Sequence, residues 1–326
     1  MKKIFITGAG GYVGSALTDY LLKKNFYVTA YDLFIYGKNV FDKNPNLNII
    51  DGDIRNKKLF ENSVKGHDIL IHLACISNDP SFELNPVLGK SINLDAFEPL
   101  VEISKNQGIR RFIYASSSSV YGIKSDPNVN EEMTLEPLTD YSRFKADCEE
   151  ILFRHGNKKF ETVVIRPATV CGYSKRQRLD VIVNILTNLA YHKREITIFG
   201  GEQLRPNIHI NDMIRAYELL IESSGEKING EIFNAGWENK SVKEIALIVK
   251  KIIGEDVRLI ESKTDDNRSY HISSEKIKKH LNFRTKFTIE DAVKDLKKAF
   301  EEQTLKNPLN NDLYFNIKRM NNIKLK

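Results

Sequence analysis

The chain is predicted to be an α/β protein, a doubly wound parallel sheet joined to a smaller C-terminal α/β lobe. Three observations carry this. Short apolar runs alternate with amphipathic helical segments from the start of the chain to about residue 166. The run Asp68-Ile-Leu-Ile-His-Leu-Ala74 is apolar without alternation, as a strand buried on both faces requires. Glycines at 8, 11 and 14 separate the first apolar run from the first helical pattern, where the chain must turn sharply.

The first strand is read at 4–6 and the first helix at 12–24. A Gly-rich turn between them leaves the helix N-terminus open to an anion: backbone N–H groups and the helix dipole point at it, and missing side chains allow close approach. That is a Rossmann-type dinucleotide site, with Gly8, Gly11, Tyr12, Val13 and Gly14 as cofactor-binding candidates. A second strand, 27–31, ends at Asp32, 18 residues after Gly14. An acid there accepts hydrogen bonds from an adenosine ribose and repels a 2′-phosphate, which favours NAD over NADP. A third strand, 48–54, carries Asp53 and Ile54 toward the adenine. The fourth, 68–74, brings Leu73 and Ala74 to the cofactor, and its His72 reads as a packed core histidine. The fifth, 111–115, runs into Ser116-Ser-Ser-Ser119-Val-Tyr-Gly122 and puts hydroxyls at a strand end. In the helix 138–154, Tyr141 and Lys145 are four apart and share a face. A phenol titrates near 10 and is a poor base at neutral pH unless a cation stabilises its phenolate, and Lys145 is placed to do so.

These motifs, in this order and spacing, resemble the extended short-chain dehydrogenase/reductases. Within them the chain looks like the NAD-dependent epimerase/dehydratase group that acts on nucleotide-activated sugars. The resemblance covers the chain to about residue 305. It implies catalytic roles for Ser117, Tyr141 and Lys145: Ser117 bonds the sugar oxygen, Tyr141 exchanges its proton, and Lys145 holds the nicotinamide ribose. It also implies cofactor contacts at Ser116, at Pro167 after a sixth strand, and at Asn93, whose amide could instead bond its own helix or face solvent. On the substrate side it points to Ser77, Asn78, Ser117, Ser118, Thr169, Arg205 and Arg268. Arg176 and Arg178 lie in a basic loop before a helix and would hold a diphosphate there, or form a solvated loop.

Two departures bear on the reaction. Dehydratases of this group carry an acid just after the catalytic Ser/Thr, where this chain has Ser118 and Ser119. Neither can deprotonate carbon, so dehydration is disfavoured. The group's Asn before Tyr-Gly is also missing, since Thr169-Val-Cys171-Gly172 stands there. The expected function is an NAD-dependent nucleotide-sugar epimerase that oxidises C4 and reduces it again. The Arg176-x-Arg178-Leu-Asp180 run also looks similar to sugar-nucleotide C4 dehydrogenases of bacterial heptose and capsule pathways, so release of a 4-keto sugar is the alternative. A non-catalytic NAD-binding regulatory or scaffold protein is the reading from a different class, and an NADPH-dependent reductase is a further one that Asp32 opposes.

Composition bounds the remainder. The 326 residues suffice for a large core. The net charge of +6 is spread along the chain, suits an anionic small molecule and makes no case for nucleic acid. Three cysteines, at 75, 148 and 171, have no metal-ligand spacing, so no metal is expected and reduced thiols are. The absence of a long apolar run and of a leader pattern leads to an expected cytoplasmic location, without membrane contact. The expected organisation is an NAD-binding Rossmann domain at 1–166, with 208–237 returning to it. A nucleotide-sugar lobe follows at 167–207 and 238–306, then a tail at 307–326 that reads as a surface arm or disordered end. By resemblance, helices near 91–106 and 138–154 form the face of a homodimer.

Overall fold

The computed structural model of the protein describes residues 1–264 and 269–325. Its strands, in chain order, are β1 (Lys3–Thr7), β2 (Tyr27–Asp32), β3 (Leu47–Asp51), β4 (Ile69–His72), β5 (Arg111–Ala115), β6 (Glu161–Pro167), β7 (Thr169–Cys171), β8 (Glu195–Phe199), β9 (Leu204–His209), β10 (Glu231–Ala235), β11 (Glu238–Ser241) and β12 (Arg258–Ser262). Among the described residues seven of these form one sheet, ordered β10-β6-β5-β4-β1-β2-β3, and every neighbouring pair is parallel. The strand order reverses between β1 and β4. In an open parallel sheet that reversal leaves a crevice beyond the carboxyl ends of the strands.

Both faces of the sheet are covered, which explains the runs without alternation. Ile4 and Ile6 of β1 enter one core with Val28, Ala30, Ile71 and Ile113, and Phe5 enters the other with Leu70, Phe112 and Val164. The helix Tyr12–Lys23 packs against the helix Ile210–Glu222 on the first face, although 198 residues separate the bonded pair Tyr20 and Glu218. The helices Phe97–Asn106 and Asp140–His155 pack together on the second. β10 comes from the C-terminal half and joins the edge of the sheet next to β6. The other strands form a three-stranded sheet, β11-β9-β7, and a two-stranded one, β12-β8. Over these, the helices Ile182–Lys193, Val242–Ile253 and Ile289–Glu301 share a third core. Two of them begin in capping boxes, Ser241 with Glu244 and Thr288 with Asp291.

Two segments depart from the sequence reading. The third strand stops at Asp51, so Asp53 and Ile54 lie in the loop beyond it. There the backbone N–H, Nε and NH2 of Arg55 all donate to the Asp53 carboxylate, and the backbone turns. The tail is ordered rather than a free arm. A 3₁₀ turn at Asp312–Tyr314 leads into a helix, Asn316–Ile323, whose Met320 is buried in the second core. Three apolar side chains of this helix and its end (Met320, Ile323 and Leu325) pack inward, a period that polar neighbours hide in the sequence. Among the described residues no helix is long and apolar enough to cross a membrane, and no group of three or more His, Cys, Asp or Glu could hold a metal ion.

Candidate active site

A cleft of about 540 Å³ opens beyond the carboxyl ends of β1, β2, β4 and β5, between the large sheet and the C-terminal lobe. Its floor is the Gly-rich turn. Gly8 has φ +73°, and a Cβ there would meet the Ala74 nitrogen at 2.6 Å. A Cβ on Gly14 would lie 2.2 Å from the Gly8 carbonyl oxygen, which is backbone and cannot move aside. The following helix starts at Gly11 with no side-chain cap, so its first N–H groups remain available to an anion. Gly14→Ala is therefore expected to push the turn apart. NAD retained through purification should fall at least tenfold, as read by mass spectrometry of the denatured protein. One bound dinucleotide per chain in that variant would refute this.

Asp32 closes the next side. Its carboxylate accepts from the backbone N–H groups of Gly10 (2.9 Å) and Phe34 (2.6 Å), and burial raises its pKa. Across from it stands Arg176, 4 % exposed, with its guanidinium 3.5 Å from the centre of the Tyr36 ring. Burial pushes Arg176 down to about 10, with Arg178 adding to the effect and Tyr36, Asp180 and Asp32 opposing it. The Arg176 Nε–H has no hydrogen-bond partner among the described residues. A buried cation with an unused donor, an uncapped helix N-terminus and a cradle without side chains together fit the diphosphate and ribose of a dinucleotide.

The tail completes this wall, and nothing in the sequence reading singled it out. The Asn316 Oδ1 accepts from Tyr36 and from Arg176, each at 2.8 Å. Its Nδ2 donates to Ser77 at 2.9 Å, and its backbone N–H donates to Asp180 at 2.6 Å. Asn316→Ala would leave Arg176 and Tyr36 short of an acceptor in a buried place. The expected cost is about 1–3 kcal/mol of stability, with weaker NAD binding by equilibrium dialysis; unchanged melting and affinity would sink the idea.

The catalytic candidates meet at the end of β5. Ser117 caps a 3₁₀ turn, Ser118–Tyr121, accepting from the Ser119 N–H at 3.1 Å. Thr139 caps the helix Asp140–His155, which presents Tyr141 and Lys145 to the cleft one turn apart. The Lys145 Nζ donates to the Ala115 carbonyl oxygen at 2.7 Å and sits 5.9 Å from the centre of the Tyr141 ring. Burial raises the Tyr141 phenol far above its ordinary range. Cys75 and Asp79 raise it further, while Arg178 and the Asn78 N–H favour the phenolate. The Arg178 Nε donates to Asp180 at 2.5 Å and its NH1 donates to Ser77 at 3.2 Å.

Most of the other predicted residues line the same cleft. Tyr12, Val13, Asp53, Ile54, Leu73 and Ala74 do so on the dinucleotide side, with Ser116 and Pro167 deeper in. Ser77, Asn78, Ser118, Thr169 and Arg205 line it toward the lobe. Asn78 adopts φ +73°, and its side chain caps the short helix Asp79–Phe82. Asn93 stands apart from the lining. Its amide accepts from the Ile76 N–H at 2.8 Å and donates to the Ile76 carbonyl at 3.0 Å, so it fixes the loop after β4. Arg268 lies outside the described residues. His72 is packed, bonded to Thr7 Oγ1 at 2.8 Å, and burial lowers it to about 3.

A protein-family model described as the NAD dependent epimerase/dehydratase family matches residues 4–236. The chain belongs to that family. The family is NAD-dependent by its description, and the dinucleotide that the cleft fits is NAD. The chain is 31% identical over 275 residues to a protein named "Uncharacterized UDP-glucose epimerase YtcB" from Bacillus subtilis, covering 79% of this chain and 84% of that one. It is 30% identical over 258 residues to dTDP-D-glucose 4,6-dehydratase from Dictyostelium discoideum. That match takes in 72% of this chain, which spans only 58% of the relative's length. In fold it is similar to a UDP-glucose 4-epimerase from Thermotoga maritima, solved with UDP-glucose. The TM-score is 0.84 at 24% identity, covering 93% of this chain and 100% of the other.

Proposed function

We propose that this enzyme is a nucleotide-sugar 4-epimerase, which oxidises the sugar at C4 and reduces the ketone again from the other face. The observation that carries the reading is the pairing of Ser117 and Tyr141 with serines, not acids, at 118 and 119. An elimination across neighbouring carbons needs a group that takes a proton from carbon, and a serine hydroxyl cannot. When bound, NAD supplies the acceptor and later the donor of the C4 hydride. The chain supplies the rest. Ser117 holds the C4 oxygen, Tyr141 exchanges its proton, and Lys145 fixes the site through the Ala115 carbonyl. Relatives named as epimerases support the reading, among them a putative UDP-glucose 4-epimerase of Methanocaldococcus jannaschii at 27% identity over 96% of that protein.

Within the cleft we assign Ser77, Asn78, Ser118, Thr169, Arg178 and Arg205 to the nucleotide sugar, and on the family resemblance alone we add Arg268, which lies outside the described residues. Arg176 faces Asp32 and Tyr36, so we place it on the dinucleotide side instead. One observation favours release of the 4-keto sugar as a second reading. Arg178 and Asp180, of the run shared with C4 dehydrogenases, form an ion pair that lines the cleft. We further infer a cytoplasmic homodimer, which light scattering of the purified protein tests.

The deciding experiment denatures purified protein, identifies the dinucleotide released, and incubates the native enzyme with UDP-, GDP-, CDP- and dTDP-hexoses and heptoses. Retained NAD⁺, with conversion to a C4 epimer at no net NADH change, supports epimerisation. Retained NADH, with a 4-keto sugar formed only when an external oxidant is added, replaces it with dehydrogenation.

A further inference from the structure

Asn316 stands where the C-terminal helix begins, beside the basic loop, and it is 3 % exposed. Its neighbours fix which way the amide points. Arg176 is a donor only, so the atom that faces its NH2 group at 2.8 Å must be the amide oxygen. The Tyr36 hydroxyl donates to the same oxygen at 2.8 Å and takes its second lone pair. The amide nitrogen is therefore turned the other way, and it donates to Ser77 Oγ at 2.9 Å. The backbone N–H of Asn316, bonded to the Asp180 carboxylate at 2.6 Å, holds the residue in place.

Ser77 Oγ also receives the Arg178 NH1 group, at 3.2 Å. Neither neighbour can take a proton in return, because a guanidinium and an amide nitrogen only donate. A hydroxyl has two lone pairs and one proton. Both lone pairs of Ser77 are thus occupied, and among the described residues its proton has no acceptor. Ser77 is part-exposed and lines the cleft, so that proton is left for the ligand. Charge narrows the choice of acceptor. Arg178 bonds Ser77 itself and Arg176 bonds the far end of the Asn316 amide, while Asp180 offsets part of this positive charge. Two guanidinium groups beside a hydroxyl donor favour an anionic oxygen that carries no proton, as a diphosphate supplies.

We propose that Asn316 is a positioning residue that sets the polarity of Ser77, making the serine hydroxyl a dedicated donor to a diphosphate oxygen in the cleft. The diphosphate of the nucleotide sugar is one source of that oxygen, and this source rests on the function proposed above. The diphosphate of NAD is the other, and it rests on the family alone. In either case a ligand contact on the loop after β4 is tuned by a residue 239 positions later in the chain.

Asn316→Asp is the decisive variant. It keeps the shape of the side chain and the oxygen that Tyr36 and Arg176 use, but it puts an acceptor where the amide nitrogen was. The Ser77 proton then turns to the new carboxylate, and the ligand meets a lone pair. Ser77→Ala removes the donor outright. Two quantities are read on the purified holoenzyme: the rate at which bound NAD exchanges with isotopically labelled NAD⁺, and the Kd, by calorimetry, of whichever of UDP, GDP, CDP and dTDP the wild type binds. Both variants should raise one of the two at least about tenfold, as loss of a hydrogen bond to a charged group requires, and the quantity that moves identifies the source. Asn316→Asp should melt above Asn316→Ala, because Arg176 and Tyr36 keep their acceptor. The new charge also repels a diphosphate directly, and a double-mutant cycle separates the two effects: acting through Ser77, Asn316→Asp costs much less in the Ser77→Ala background. An equal cost in both backgrounds, or unchanged exchange and Kd in Ser77→Ala, would overturn the proposal and leave the function standing. A wild type that binds none of the four nucleotides would refute the function instead, and NAD exchange alone would then decide the polarity of Ser77.

Discussion

Tyr141→Phe is expected to lower turnover about 10²–10⁴-fold, the range for losing a positioned acid–base group, while the protein still carries NAD. The substitution removes one oxygen from a ring packed beside the second core and leaves the helix Asp140–His155 intact. Binding of the dinucleotide depends on other residues, chiefly the turn at Gly8 and Gly14 and the wall built by Asp32, Arg176 and Asn316. A variant that keeps NAD and loses turnover therefore separates chemistry from binding. Wild-type turnover in Tyr141→Phe would remove the phenol from the reaction and favour a non-catalytic role for the chain. The direction of the pH dependence follows from the same surroundings. The base form of Tyr141 is the phenolate, and burial, Cys75 and Asp79 all raise the pH at which it forms. In the free enzyme, kcat/KM should climb on the alkaline side as the phenol ionises. Asp79→Asn removes a neighbouring negative charge and should shift that limb to lower pH. A shift to higher pH would contradict the assignment.

The second large effect is on stability. Glu149 and Arg166 have side chains 4 % and 3 % exposed and form a doubly bonded ion pair, at 2.6 and 3.0 Å. Glu149 also accepts from Ser116, while Arg166 donates to the Tyr121 hydroxyl at 2.8 Å. Tyr121 in turn donates to Asn234 at 2.7 Å. The network ties the catalytic helix to β6, to the turn after β5 and to β10. Glu149→Ala would strand a guanidinium in the interior, and the expected loss is about 3–5 kcal/mol. With about 2.1 cal/mol/K of unfolding entropy per residue over 326 residues, each kcal/mol is worth roughly 1.5 °C, so the midpoint should fall by about 4–7 °C. Calorimetry of the pair Glu149→Ala and Glu149→Gln checks this, with the amide, which keeps two of the polar contacts, expected to lose less. A midpoint within 2 °C of wild type would show that the pair is dispensable. Because Ser116 adjoins Ser117, a destabilised Glu149 variant should also lose activity below its melting range.

Glu149 and Arg166 attracted no attention in the sequence, and the reason is instructive. What could be read there depends on local geometry. A backbone that must cross φ > 0 within contact distance of Ala74 demands glycine, so Gly8 and Gly14 mark the turn by themselves. Tyr141 and Lys145 are one helical turn apart whatever surrounds them. Strands buried on both faces must be apolar throughout, so β4 and β5 were visible as runs. Asp32 follows from the end of β2. Each of these rules acts over a few residues, and each holds for any chain of this fold.

The same cannot be said of contacts that join distant segments. Asn316 meets Tyr36 across 280 residues, and Thr139 meets Asp79 across 60. No periodicity links such pairs, because their spacing is set by the way whole elements pack. The tail looked like a polar arm since only one side of a short helix is apolar, and that side finds its partners in the second core after the sheet has formed. Asn93 occupies the position that the family resemblance suggests for a cofactor contact, yet its amide oxygen and nitrogen each bond the Ile76 backbone. Local sequence thus decided the dinucleotide fold, the NAD preference implied by Asp32, and the Tyr-Lys pair, because backbone geometry and helical pitch are short-range constraints. Tertiary packing alone decided which carboxylate faces Tyr141, which hydroxyls touch one another, and that the C-terminal helix walls the cofactor cleft, because burial and hydrogen-bond satisfaction are settled only when remote segments meet.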